Sequence, residues 1–317
     1  MPIQWMSAAE IAAVTNPVSL VPGFLNVGER AILAGPEKVG KSFLLLQAAF
    51  ELAHGLPLWG TFTASRPLRV FLLQFEISPA AFKGRYQDYV DLLGASDNLW
   101  VASDRNFRID NDTHLADLQR DVAAYSPDLL IVDPLYYVTD QPENTDAMRE
   151  VFRRVDTLVS DCAVFIIHHM RKPLHDATGR VVTGGRSDIR GHSVILGWPD
   201  IIVEIRRGHM TEDGLSLTYT FRNQAPVEPT ELMKQGGLFT PAPMLTTMGV
   251  LHRLRAAGGT LPVGRLAGSR IAVDRMVSEL VHDGLVADNR GDNDRRGRTL
   301  SLTAAGAIVA APQRAGE

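Results

Sequence analysis

The segment Gly35-Pro36-Glu37-Lys38-Val39-Gly40-Lys41-Ser42 constrains this chain more than any other. It satisfies the pattern GxxxxGK[ST] in full. The apolar run Arg30–Ala34 precedes it, and SFLLLQAAFELAHG, closed by Gly55, follows as a helical pattern. A strand, a glycine-rich turn and a helix in that order set backbone N–H groups at a helix N-terminus, a cradle for phosphate oxygens. Lys41 then adds a point charge toward β- and γ-phosphates, and the Ser42 hydroxyl ligates Mg²⁺. Lys38 stands where many such loops have glycine, and its ammonium has two open destinations, a phosphate or solvent.

A phosphate loop of this kind needs a parallel sheet, and the rest of the first 240 residues supplies the pattern for one. Short apolar runs recur at Arg69–Phe75, Leu99–Ala102, Leu129–Val132, Ala163–Ile167, Ile201–Ile205 and Leu215–Phe221. Helical patterns lie between several of them, notably DTHLADLQRDVAAY, with Asp112 or Thr113 as N-cap, and DAMREVFRRVDTLVSD. Alternation of this type predicts an α/β fold with a mainly parallel sheet covered on both faces. A hydrophobic fraction of 45 % and a charged fraction of 21 % are ordinary for a globular chain. The single cysteine, Cys162, excludes a disulfide framework and a thiolate zinc site. No apolar run approaches the ~18 residues of a membrane helix, and MPIQWMSAAEIAAV lacks the basic start and apolar stretch of a signal peptide. A cytoplasmic location is the expectation.

Two carboxylates fall at predicted strand ends, the edge where open parallel sheets bind ligands. Leu129-Leu130-Ile131-Val132 delivers Asp133, placed to hold Mg²⁺ beside the phosphate loop, although a turn Asp before Pro134 has the same local pattern. Val70-Phe71-Leu72-Leu73-Gln74-Phe75 delivers Glu76, a candidate general base within one water of a γ-phosphate; the alternative is a solvated Glu ahead of the Ser78-Pro79 helix start.

Over residues 20–230 the ordered set GPEKVGKSFLLLQAAF, VFLLQFE, LLIVDPLYYV, VFIIHHMRKP and GHSVILGWPDIIVEIRRG resembles the RecA-like ATPases of the plasmid RepA replicative-helicase type, related to the DnaB helicase core. The resemblance implies a hexameric ring with ATP and Mg²⁺ bound between neighbours. It makes Glu76 the catalytic base and the strand end His168-His169 a γ-phosphate sensor, with His169 preferred for the nucleotide side. Adjacent strand residues point to opposite faces, so the two histidines do not chelate one metal. An arginine finger would come from the neighbouring subunit. Arg222 matches the finger strand best, with Arg206 or Arg207 as second choice.

The segment MRKPLHDATGRVVTGGRSDIRGHS carries Arg171, Lys172, Arg180, Arg186 and Arg190 among small residues. By the resemblance it faces the ring channel and tracks the phosphates of single-stranded DNA; a solvated loop is the alternative. It contains no aromatic residue, so base stacking is not expected there.

The charge is unevenly spread. Residues 241–317 hold ten Arg, no Lys and seven Asp or Glu, a net +3, which leaves −7 for the first 240 residues out of the formal −4. The loop at Gly236-Gly237 and Pro241-Ala242-Pro243 marks the composition break, so the predicted units are 1–240 and 241–317. Beyond it, Thr246–Ala257, Val263–Ala267 and Ser269–Asp283 read as helices, with Ser269 as N-cap of the last. LVADNR, GDNDRRGR and TLSLT then read as a hairpin with a basic tip. This segment resembles winged-helix regulators, in which the third helix enters the major groove and the hairpin tip meets phosphates. Arg270, Arg275, Arg290, Arg295, Arg296 and Arg298 fit those roles. Asp274, Glu279 and Asp283 on the same helix leave docking to a protein open instead.

Two functions therefore compete. One is an ATP-driven, ring-forming DNA helicase or translocase serving replication of a plasmid or mobile element. The other is a nucleotide-switched DNA-binding regulator or loader without unwinding. A small-molecule kinase fits the basic C-terminal segment poorly.

Overall fold

The computed structural model describes residues 5–139, 145–158, 162–169, 193–208, 213–242, 247–263, 266, 270–289 and 298–311. The chain opens with α1 (Ala8–Ala13), a fully exposed turn and a half of helix held by a capping box between Ser7 and Glu10. A small antiparallel ribbon, β1 (Ser19–Val21) and β2 (Leu25–Asn26), leads into β3 (Arg30–Gly35) and the long helix α2 (Lys41–His54), which Gly55 ends in the left-handed conformation. Next come β4 (Val70–Gln74), α3 (Pro79–Leu93), β5 (Leu99–Ser103), α4 (Asp112–Tyr125) and β6 (Leu129–Asp133). A 3₁₀ turn at Leu135–Val138, α5 (Thr145–Asp156), β7 (Ala163–His169), α6 (Ser193–Gly197), β8 (Ile201–Arg207) and β9 (Leu215–Phe221) follow. β10 (Thr230–Gln235) and β11 (Leu238–Pro241) come next.

These strands form one nine-stranded sheet in the order β11-β10-β9-β8-β3-β7-β6-β4-β5. The six strands from β8 to β5 are mutually parallel; β9, β10 and β11 add an antiparallel extension at one edge. The expected α/β core is thus present, and all seven predicted strands are in it. The antiparallel hairpin β10–β11 is an addition that sequence reading missed. Gly236-Gly237, read as part of a linker, is the turn of that hairpin, with φ of 57° and 91° that favour glycine. Its strands lack a long apolar run because, of their hydrophobic side chains, only Leu232 and Phe239 are fully buried.

Strand alternation divides the core in two. Leu33, Leu72, Ile131, Phe165 and Val203 face α2 and α3. Ile32, Phe71, Leu130, Val164 and Ile202 face α4, α5 and α6. The α4 helix is capped by Asn111, whose side-chain oxygen accepts from the N–H groups of Thr113 and His114. Sequence reading placed that cap one or two residues later; the extended backbone of Asn111 puts the real cap ahead of Asp112. Similarly, α5 stops at Asp156, short of the predicted end, with Thr157 and Leu158 in turns.

A separate hydrophobic cluster lies beyond residue 247. It joins α7 (Thr247–Ala256), β12 (Thr260–Pro262), α8 (Arg270–His282), β13 (Val286–Asn289), β14 (Thr299–Leu302) and α9 (Ala304–Val309) through Leu251, Leu254, Val277, Leu280 and Leu300. Its three strands are ordered β12-β14-β13. The strand β12 was not expected from its three residues. The predicted helix at Val263–Ala267 falls mostly outside the described residues, as does the Ser269 cap. Among the described residues no helix is long and apolar enough to cross a membrane.

One buried carboxyl ties the extension to α2. Glu51 accepts hydrogen bonds from the Gln47 side chain (2.7 Å) and the Trp59 N–H (2.7 Å), while Gln47 bonds both the N–H and the carbonyl of Phe239 in β11. Burial pushes the Glu51 carboxyl up to about 7, against the opposing pull of those two hydrogen bonds. The folded state therefore holds this proton between pH 4.5 and 7 while the unfolded chain releases it, so the contribution is full below pH 4.5 and is lost as pH rises through 7. Denaturant unfolding at pH 5 and pH 8 is expected to show a pH-dependent loss of up to about 3 kcal/mol from this group, which Glu51→Gln abolishes. An unchanged pH dependence in the variant would place the proton elsewhere.

Candidate nucleotide site

The loop between β3 and α2 takes the shape that the glycine spacing requires. Gly35 approaches β8 so closely that a Cβ there would run into the Ile205 side chain and lie 2.7 Å from the Ile205 carbonyl oxygen. Gly40 caps α2 in the left-handed region at φ 111° and offers no side-chain cap to the first turn, which leaves the helix N–H groups for an anion. Lys38 is also left-handed, at φ 59°, the physical reason that glycine suits this position, and its side chain is exposed. Pro36 and Glu37 are exposed, while Val39 packs into the core.

Lys41 is buried, and its Nζ donates to the carbonyls of Gly35 (2.9 Å) and Pro36 (2.7 Å). The ammonium is thus held within the turn, where a phosphate would compete for it. The Ser42 hydroxyl donates to Asp133 Oδ1 at 3.0 Å, so the predicted pair of Mg²⁺ ligands meets across the gap between α2 and β6. Asp133 is 6 % exposed. Burial pushes its carboxyl up to about 7; the Ser42 hydrogen bond opposes this, the nearby Glu76 charge adds to it, and Arg85 and Lys41 offset it. A buried carboxylate and a hydroxyl are hard oxygen donors, which suits Mg²⁺.

Glu76 follows the end of β4 and is exposed. The Phe75 N–H donates to the Asp133 carbonyl (3.0 Å), which holds the two strand ends side by side. On β7, alternation puts His169 on the α2 face and the buried His168 on the opposite face, in register with Gly35 and Ala34 respectively.

The three arginine candidates separate. Arg207 donates to the Lys38 carbonyl at 3.2 Å and so lies against this chain's own loop. Arg206 stands 3.7 Å from Glu204. Arg222 sits at the other end of the sheet, since β9 runs antiparallel to β8, and pairs with Asp200 (3.2 Å) and the Gly197 carbonyl. Lys172, Arg180, Arg186 and Arg190 lie outside the described residues, as do Arg171, Arg290, Arg295 and Arg296. Arg270 begins α8, and Arg275 is exposed on it. Arg298, predicted to meet DNA phosphate, bonds Asp288 (2.9 Å) and Asp274, joining the start of β14 to β13 and α8. Two carboxylates engage its guanidinium, a structural role that sequence position did not reveal.

Sequence reading also missed Arg85 on α3, whose guanidinium lies 4.6 Å from the Phe43 ring centre and whose charge reaches Asp133. A cleft of about 350 Å³ opens next to Phe43, between α3 and the β10–β11 hairpin, lined by Tyr89, Phe239, Asp88, Asp91 and Lys234. Only tertiary packing brings these together, and no local pattern announces them.

Residues 2–174 match the model of a family described as an AAA domain, a span that takes in the phosphate loop, Glu76, Asp133 and both histidines. The chain belongs to this family. The fold is that of a RecA-like P-loop ATPase: the ATPase domain of G40P aligns with a TM-score of 0.52 at 13 % identity, over 74 % of this chain and 95 % of that one. The KaiC-like protein PH0186 from the hyperthermophilic archaeon Pyrococcus horikoshii OT3 aligns with a TM-score of 0.48 at 13 % identity, over 71 % and 94 %. No curated protein sequence matches the chain.

Lys41→Ala is expected to weaken binding of a fluorescent ATP analogue by about tenfold or more, the loss of one charge-assisted phosphate contact. Affinity within about twofold of the native chain would show that the phosphates bind elsewhere.

Proposed function

We propose that this chain is an ATP-hydrolysing, ring-forming motor on DNA, a helicase or translocase in replication of a plasmid or mobile element. The observation that carries the ATPase part is the meeting, at one sheet edge, of the Gly35–Ser42 loop, the Ser42–Asp133 pair and Glu76. In this reading Gly35, Pro36, Glu37, Lys38, Val39 and Gly40 wrap the phosphates by their backbone, and Lys41 neutralises β- and γ-phosphate charge. Ser42 and Asp133 hold Mg²⁺, which when bound draws charge from the phosphate oxygens. Glu76 takes the proton of the attacking water, and His169 faces the γ-phosphate. The Phe43 cleft, which begins one residue beyond Ser42, receives the nucleoside.

The DNA and ring parts rest on the resemblance to RepA-type helicases and on the basic residues Lys172, Arg180, Arg186 and Arg190. A subunit of a hexamer would lend its Arg222 to the neighbour's γ-phosphate. That side chain is 42 % exposed, and a surface ion pair such as Arg222–Asp200 is weak enough to exchange. The order α7, β12, α8, β13, β14 supports a winged-helix module for residues 241–317, with Arg270, Arg275 and the segment holding Arg295 and Arg296 toward duplex DNA. A cytoplasmic location fits this work.

ATP hydrolysis measured with and without single-stranded DNA, beside a solution mass in an ATP analogue, tests the reading. DNA-stimulated turnover from a ring is expected. Turnover indifferent to DNA from a monomer would overturn the motor. Glu76→Gln should keep nucleotide affinity within about threefold while losing about 10²-fold or more in turnover. Arg222→Ala should lower turnover by a comparable factor with binding retained; native turnover would move the finger to Arg206 or Arg207.

A further inference from the structure

Gln74 is the last residue of β4 and only 2 % exposed. It lies in register with Asp133 on one side and Ser103 on the other, and alternation puts all three on the α2 face. A buried carboxamide must find partners. Turned as its surroundings require, its oxygen accepts from the N–H groups of Glu76 (2.9 Å) and Ile77 (2.6 Å), while its nitrogen donates to the Ile77 carbonyl (3.0 Å) and Ser103 Oγ (2.9 Å). The side chain thus binds the backbone of the turn that immediately follows its own strand, and anchors that turn to the edge strand β5.

We infer that Gln74 is a positioning residue for Glu76. The inference rests on the reading of Glu76 as the general base. Glu76 is exposed and stands outside the regular sheet, so the ladder does not fix it. Two constraints do: the Phe75 N–H on the Asp133 carbonyl sets the turn's start, and the Gln74 carboxamide sets the peptide of Glu76 and its successor. Glutamine suits the place where a carboxylate does not. It both accepts and donates, as the turn and Ser103 demand, and it adds no negative charge beside Asp133. Without these bonds the turn retains a native-like path but loses the angle that aims the Glu76 side chain. The consequence is confined to the chemical step, because the phosphate cradle lies on β3 and α2 and is not touched.

The test is steady-state ATP hydrolysis by the full chain, with kcat and KM separated, for the native protein, Gln74→Met, Gln74→Glu, Glu76→Gln and the Gln74→Met/Glu76→Gln pair. Methionine keeps the length and packing but makes none of the four bonds. We expect Gln74→Met to lower kcat by about ten- to a hundred-fold with KM within about twofold. Added to Glu76→Gln it should lower kcat no further, because both act through one group. Gln74→Glu keeps the acceptor for both N–H groups and should retain more of kcat than Met; it also serves if the Met variant fails to fold. Glu76→Gln inactive with Gln74→Met at native kcat would overturn this inference alone, as would losses that multiply in the double variant. Glu76→Gln at native kcat would overturn the reading of Glu76, and this inference with it.

Discussion

The hydrogen bond from Ser42 to Asp133 joins the first turn of α2 to the end of β6, two strands away from β3 across the sheet. Much else in the site follows from it. It requires the turn after β3 to close tightly, hence glycine at Gly35 against Ile205 and at the left-handed Gly40. It requires β6 to end in a buried carboxyl, and burial alone raises the energy of that charge. The surroundings answer with a hydroxyl, Lys41 and Arg85, while the like charge of Glu76 adds to the cost. A divalent cation between Ser42 and Asp133 would relieve that cost, so the apolar core and the phosphate chemistry are coupled at this pair.

The sheet extends this coupling. β4 stands beside β6, and the Phe75 N–H on the Asp133 carbonyl keeps the chain just before Glu76 against the end of β6. At the other edge, Gln47 of α2, itself bonded to Glu51, holds the backbone of Phe239 in β11, so the helix that presents the phosphate loop is braced by the outermost strand of the sheet. A separate hydrophobic cluster gathers residues beyond 247.

The elements legible in the sequence were those with strong local signals. The phosphate loop, the six parallel strands with β9, and the cores of α2, α4 and α5 all come from apolar runs or fixed motifs. Asp133 was legible because its strand is wholly apolar until its last residue. What escaped was set at long range. β10 and β11 each bury one large side chain and take their place by pairing, β10 with β9 and β11 with β10. Gln74 lies inside an apolar run, where its partners on the next turn and the edge strand leave no mark in the local pattern. Arg298 looked like a free cation in a basic tip, and only the fold brings Asp274 and Asp288 to it. Arg85 is similarly silent, since its closeness to Phe43 depends on α3 crossing α2.

The claim that Ser42 and Asp133 form a cation site at the end of a phosphate cradle is tested most directly by calorimetric titration with ATP. The titrations compare binding with and without Mg²⁺ in the native chain and in Asp133→Asn. The native chain should bind ATP more tightly with Mg²⁺ present, and the variant should lose that difference. An undiminished Mg²⁺ effect in Asp133→Asn would contradict the assignment.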